Sequence, residues 1–277
     1  MSTRHASNAT QPATIEGSVY YAAAGRQPLF AYANTVPAGE AETNVEFVEH
    51  TVAIRDMRGS GSEPRLDVEG AALVRQRSAV RDFYDEDELR RAGYAEAGDI
   101  LRTLTGAQQV VVFDHNVRRG ADASDPKHAY ARKPVFHVHT DFTAGSAPIR
   151  AQTLLSPEAI AGRRMMQLNL WRPITEPVLD NALALCDASS VRPGDLLPTA
   201  LRYPERQGEI YYVKFNPAHR WWYASEMRRD EVWVFKNYDS AADGRARFTP
   251  HTAFQTSSAS LPRRESVEFR AFAVFDD

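Results

Sequence analysis

His137, His139 and Asp141 alternate within the stretch PVFHVHTDFT. Imidazole and carboxylate side chains are ligands for divalent first-row metals. In an extended strand alternate residues share one face, so the three are expected on one side of the chain.

Three readings of H-x-H-x-D stay open on these residues. One is a polar strand face without metal, as in a non-catalytic jelly-roll binding protein. Another is a zinc hydrolase of the metallo-β-lactamase type, whose H-x-H-x-D-H motif has Phe142 in place of its last histidine here. The TAGSAP stretch that follows does not read as a helix packed behind such a motif. The third reading uses His139-x-Asp141 and one distant histidine, leaving His137 as a neighbour. Two histidines and a carboxylate on one side of a metal leave the other side open, as in non-haem ferrous oxygenases.

For the distant ligand, His5 sits in a polar leader, and His50, His115 and His128 precede the motif. Downstream stand only His219, in NPAHRWWY, and His251, in TPHTAFQT. In PRRESVEFR, residues Arg264, Ser266, Glu268 and Arg270 alternate to one face, and Val267, Phe269 and Ala271 to the other. Two arginines on one face of a buried strand are costly unless anions pair with them. The far carboxylate of a dicarboxylic co-substrate would serve; surface pairs with Glu268 and Glu265 are the alternative.

Several elements have to position these residues. DEDELRRAGYAEAGDILRTLTG reads as a helix, with Asp85 and Glu88 at capping-box spacing and Gly106 as its stop. SPEAIAGRRM reads as a second helix, with Ser156 as N-cap and Pro157 in its first turn. HTVAIRDMR, AALVRQRSAV and AQQVVVFDHNVRR read as strands, and from residue 134 onward strand-like runs dominate. The fold expected is mainly β with flanking helices, a double-stranded β-helix or jelly roll. Residues 1–17 are expected to be a disordered leader. One domain is expected over 18–277, its jelly-roll core starting at about 107 and a mixed α/β part packed outside.

The 277 residues carry a net charge of −3, with 33 basic and 36 acidic side chains, which argues against a dedicated nucleic-acid binder. No apolar run approaches the roughly 20 residues of a membrane span. The N-terminus lacks the apolar core of a signal peptide. Cys186 is the one cysteine, expected as a buried small hydrophobe, so no internal disulfide can form. A cytoplasmic enzyme fits; the oligomeric state is not legible.

The ordered set DFYDEDELRRAGYAEAGDILRTLTGAQQVVVFDHNVRR, HVHTDFT, LNLWRP, NPAHRWWYASEMRRDEVWVFKNYDS, PHTAFQT and PRRESVEFR resembles the iron(II)- and 2-oxoglutarate-dependent oxygenases. It is most similar to their hydroxylase/desaturase branch, which includes gibberellin desaturase and oxygenases of antibiotic and meroterpenoid biosynthesis. The resemblance covers most of the chain after the leader. It implies His139, Asp141 and His251 as iron ligands. It implies Arg264, with Ser266 in an R-x-S pattern, as the partner of the 2-oxoglutarate carboxylate, with Arg270 as the rival. It implies O₂ as co-substrate and a small molecule oxidised at a C–H bond in secondary metabolism. Trp171 and Arg172 in NLWRPI are candidate substrate contacts, and Asp114, His115, Arg118 and Arg119 are candidates for the pocket mouth. His219 with Trp221 and Trp222 is expected in core packing.

Overall fold

The computed structural model describes residues 14–23, 25, 28–33, 35–59, 63–120, 131–255 and 263–276. Its strands, in chain order, are β1 (Thr14–Ala22), β2 (Leu29–Tyr32), β3 (Phe47–Asp56), β4 (Ala71–Arg75), β5 (Gln109–Arg119), β6 (His139–Thr140), β7 (Arg164–Pro173), β8 (Leu183–Cys186), β9 (Leu196–Arg202), β10 (Gln207–Val213), β11 (Trp221–Tyr223), β12 (Glu231–Asp239), β13 (His251–Ala253) and β14 (Glu265–Phe275). They form two sheets among the described residues. One runs β4-β12-β7-β14-β5, and the other runs β1-β3-β11-β8-β13-β6-β10-β9-β2. Neighbours in space are mostly distant in sequence, as two interleaved sheets require. This is the expected jelly roll.

The helix over residues 86–105 is continuous: α1 (Glu86–Glu88), a π-helical segment (Leu89–Gly93) and α2 (Tyr94–Thr105). Asp85 caps it by accepting from the Glu88 N–H at 3.0 Å. The Glu88 carboxylate does not return to Asp85; it accepts from the Arg81 and Asp82 N–H groups instead. Gly106 ends the helix at φ 72°, in the left-handed region glycine favours. Leu89, Ala97, Ile100 and Leu101 pack against Val267, Phe269, Ala271 and Ala273 of β14. At Gly93 a Cβ would come within 2.7 Å of the Phe269 ring, so the close approach of helix to sheet requires glycine there. This helix therefore covers one face of β14 and turns the other toward the opposite sheet.

Four expectations change. β1 begins at Thr14, inside the stretch read as leader; residues 1–13 lie outside the described residues. β1 to β4 extend the two sheets, so the N-terminal part is woven into the roll, and only its helix lies outside. KPVFHVHT yields strand only at His139–Thr140, preceded by an isolated bridge between Tyr20 and His137. Pro134 has no N–H to give a longer ladder. The TAGSAP stretch leads into a helix after all, α3 (Ser146–Gln152), before α4 (Pro157–Ile160) with its Ser156 cap. Cys186 is fully buried, as expected, and burial pushes its thiol up to about 12.

Candidate metal centre

His139 and His251 stand opposite each other in the β6–β13 pair, which sets both imidazoles on the inner face. Their ring centroids are 4.4 Å apart. Asp141 lies just past β6, where its N–H donates to Asn237 Oδ1 at 2.8 Å. Its Oδ1 is 3.5 Å from His139 Nε2 and 4.0 Å from His251 Nε2. One ligand atom from each of the three residues lies within 4.8 Å of the others. Metal–ligand bonds of about 2 Å can draw such a set onto one ion with little movement.

The remaining polar atoms are tied back. His139 Nδ1 sits 2.8 Å from the His137 carbonyl, and His251 Nδ1 sits 3.2 Å from the Thr249 carbonyl. A carbonyl can only accept, so each Nδ1 carries the proton and each Nε2 presents its lone pair inward. Asp141 Oδ2 accepts from Asn169 Nδ2 at 2.8 Å and from Arg270 Nε at 2.9 Å, leaving Oδ1 facing the imidazoles. Burial alone would raise the Asp141 carboxyl, but the Arg270 guanidinium beside it holds it well below the usual carboxylate range. Burial pushes His251 down to about 3, with His139 adding to the effect. Carboxylate ionised and His251 neutral is the protonation state that binds a cation.

The inner face of the helix-covered sheet continues the site. From β5 it carries Asp114, Asn116 and Arg118; from β14, Ser266, Glu268 and Arg270, with Arg264 just before the strand; from β7, Gln167, Asn169 and Trp171. Arg270 donates to Asp114 Oδ2 at 3.2 Å and to Glu268 Oε1 at 2.9 Å besides Asp141. Arg264 is 2% exposed, lies over the Trp171 ring at 5.4 Å and donates Nη1 to the Asn181 carbonyl. Its Nε and the Ser266 Oγ are buried without a partner. Burial, then the nearby Arg118, brings the Arg264 guanidinium down to about 9.

A family model described as an oxidoreductase/YMDC permease-like domain matches residues 19–275. Hydroxylase/desaturase efuI of Hormonema carpetanum is 33% identical over 258 residues, covering 85% of this chain and 87% of that one. The chain belongs to the hydroxylase/desaturase family of iron(II)- and 2-oxoglutarate-dependent oxygenases. Fe(II)/2-oxoglutarate-dependent dioxygenase nvfI of Aspergillus novofumigatus is 28% identical, covering 89% and 91% of the two chains. The solved structure of the iron and alpha-ketoglutarate-dependent endoperoxidase NvfI superposes with a TM-score of 0.84 at 25% identity, over 96% of this chain and 99% of that one. A metallo-β-lactamase-like hydrolase is therefore set aside, and so is a non-catalytic binding protein.

Within this oxygenase fold the other expected residues sort by face. The side chain of His137 does not share the face of His139; it stacks on Phe47 at 3.7 Å, and only its carbonyl reaches the site. Burial lowers this imidazole to about 4. Trp171 faces the site, but Arg172 does not. Strand alternation turns Arg172 to the helix side, where it donates to Gln76 Oε1 at 2.6 Å and to the Arg229 carbonyl at 3.1 Å. His115 bonds Tyr94 of the helix, and Arg119 pairs with Glu265, so of the β5 group only Asp114 and Arg118 face inward. His128 lies outside the described residues. His219 is held in the core between the Tyr21 hydroxyl at 3.0 Å and Asp195 at 3.2 Å. Sequence reasoning missed Asn169, Asn237 and Asn116. Asn169 carried a signal, because it alternates with Trp171 on β7; Asn237 carried none, since its position depends on a register shift in β12.

Proposed function

We propose that the protein is an iron(II)- and 2-oxoglutarate-dependent oxygenase whose iron is held by His139, Asp141 and His251, with Arg264 and Ser266 receiving the far carboxylate of 2-oxoglutarate. One domain from β1 at Thr14 onward carries the reaction on this reading. The observation that carries it is the convergence of two imidazole Nε2 atoms and one carboxylate oxygen, each side chain fixed from behind by a hydrogen bond.

Charge supports the co-substrate. Arg118, Arg264 and Arg270 face Asp114, Asp141 and Glu268 across the inner wall, three positive groups against three negative. Such a wall is balanced before a dication binds, and a dication then calls for a dianion, which 2-oxoglutarate is. Arg270 is occupied by three carboxylates, whereas Arg264 keeps a free buried Nε beside the free Ser266 hydroxyl. An arginine fork binds a carboxylate with two parallel hydrogen bonds.

Bound there, iron with 2-oxoglutarate and O₂ supplies an oxidant strong enough to take hydrogen from a C–H bond, with succinate and CO₂ released. The chain holds the ligands in one tautomer, fixes Asp141 to one coordinating oxygen, and packs Phe235 4.7 Å from the His251 ring to keep water out. Hydroxylation, desaturation and ring closure in secondary metabolism all use this chemistry. No helix among the described residues is long and apolar enough to cross a membrane; a cytoplasmic setting fits the free, buried Cys186. The test is an anaerobic spectrum: Fe(II) with 2-oxoglutarate should give a weak visible charge-transfer band that His139→Ala and Asp141→Ala lack. A wild-type protein without that band would refute the reading.

A further inference from the structure

Arg264 and Ser266 belong to β14 and its approach, but the neighbouring strand β5 places two more donors on the same inner face. Ser266 stands opposite Arg118, and Glu268 stands opposite Asn116. Directly opposed residues have Cβ atoms about 5 Å apart. His115 and Val117 turn to the helix side, which fixes Asn116 and Arg118 on the inner one. Asn116 is 6% exposed and its Nδ2 is buried without a partner, as are Arg264 Nε and Ser266 Oγ. Arg118 Nη1 donates to the Lys133 carbonyl at 2.9 Å. Among the described residues no carboxylate lies within ion-pair distance of Arg118 or Arg264. Glu268, whose charge acts on both, is taken by Arg270 Nη2 at 2.9 Å.

We propose that Arg118 and Asn116 complete the anion site begun by Arg264 and Ser266, so that the far carboxylate of the co-substrate is held by donors from both strands. The assignment rests on the oxygenase reading above. Two guanidinium groups side by side repel each other unless an anion lies between them, and burial removes the water that would otherwise screen them. Burial lowers the Arg118 guanidinium as it does that of Arg264, so both gain from a shared carboxylate. A carboxylate offers about four acceptor positions on its two oxygens, one for each of two guanidiniums, a hydroxyl and an amide. The consequence is selectivity: a keto acid with a methyl group at its far end leaves the two guanidiniums without an anion and is rejected, although its chelating end is unchanged.

The test is an anaerobic titration of the Fe(II)-loaded full chain with 2-oxoglutarate and with 2-oxopentanoate, following the chelate band. Wild type should prefer 2-oxoglutarate by at least ~100-fold. Arg118→Gln should weaken 2-oxoglutarate by about tenfold or more while leaving 2-oxopentanoate unchanged, which also shows that fold and iron are intact. Arg118→Lys should recover part of the loss. Asn116→Ala should weaken 2-oxoglutarate alone to a smaller extent, and it serves if the Arg118 variants do not fold. Unchanged 2-oxoglutarate affinity in Arg118→Gln or in Asn116→Ala, or equal weakening of both keto acids, would overturn the assignment. A wild-type protein that chelates neither keto acid overturns the oxygenase reading itself, a pattern distinct from the others.

Discussion

Arg270 Nε lies 2.9 Å from Asp141 Oδ2, so on the proposed reading the side chain that rivals Arg264 for the co-substrate clamps a candidate iron ligand. Its other two nitrogens bind Asp114 and Glu268. Arg264→Gln should therefore raise the 2-oxoglutarate Kd by about 30-fold or more, corresponding to at least ~2 kcal/mol for an unpaired buried carboxylate. Arg270→Gln, at saturating iron, should change it by less than threefold but weaken iron binding by about 10–100-fold. A co-substrate titration with the reverse pattern would exchange the two roles.

His139→Ala and Asp141→Ala should abolish substrate-coupled succinate formation. The β6 pairing uses backbone groups, and Arg270 keeps two carboxylates when Asp141 is gone. Loss of stability in the metal-free protein should stay below about 2 kcal/mol, read from urea unfolding. Turnover retained in either variant would rule out the assigned ligands.

Asn169 contacts Asp141 from the side away from the imidazoles, and Gln167 Nε2 in turn donates to Asn169 Oδ1 at 2.9 Å. Asn169→Ala leaves Asp141 Oδ2 held by Arg270 alone and loosens the carboxylate. Iron affinity should fall by about 10–100-fold with the fold intact, measured by competition with a chelator. An unchanged affinity would leave Arg270 as the only fixing group that matters.

Metal-free protein should lose stability in acid before its carboxylates titrate. Buried His251 has its pKa depressed from 6.5 to about 3, so the unfolded chain binds a proton that the folded chain refuses. That contribution is intact above pH 6.5 and lost progressively as pH falls toward 3, amounting to about 2 kcal/mol at pH 5. His137, at about 4, acts in the same direction. Urea midpoints at pH 7 and pH 5 would show it, and His137→Phe, which keeps the stacking on Phe47, should reduce the difference. Equal midpoints would mean that these imidazoles are protonated in the folded state.

Arg172→Ala should act on stability and leave the co-substrate alone. Arg172 is 3% exposed and bonds Gln76 and the Arg229 carbonyl behind the sheet. Its loss leaves those acceptors unpaired, costing about 1–3 kcal/mol, with 2-oxoglutarate affinity unchanged. A selective loss of 2-oxoglutarate binding would return Arg172 to the site.

By itself the sequence determined the class of fold, the helix with its Asp85 cap and Gly106 stop, and the two faces of the last strand. All of these rest on local chemistry: capping atoms are three residues apart, and strand alternation has a period of two. It also supplied the short list of residues able to bind a metal and, through the resemblance, the choice among them. Tertiary structure decided the rest. That His251 stands opposite His139 depends on strands 112 residues apart meeting in one register pair, which no local pattern encodes. That His137 turns away depends on Pro134 and the Tyr20 bridge breaking the strand whose alternation had placed it inward. Arg264 and Arg270 share a face in the sequence, where only the R-x-S pattern favours Arg264. Packing separates them, because Asp141 and Asp114 arrive beside Arg270 from other strands, while Arg264 is buried against Trp171 with a donor still free.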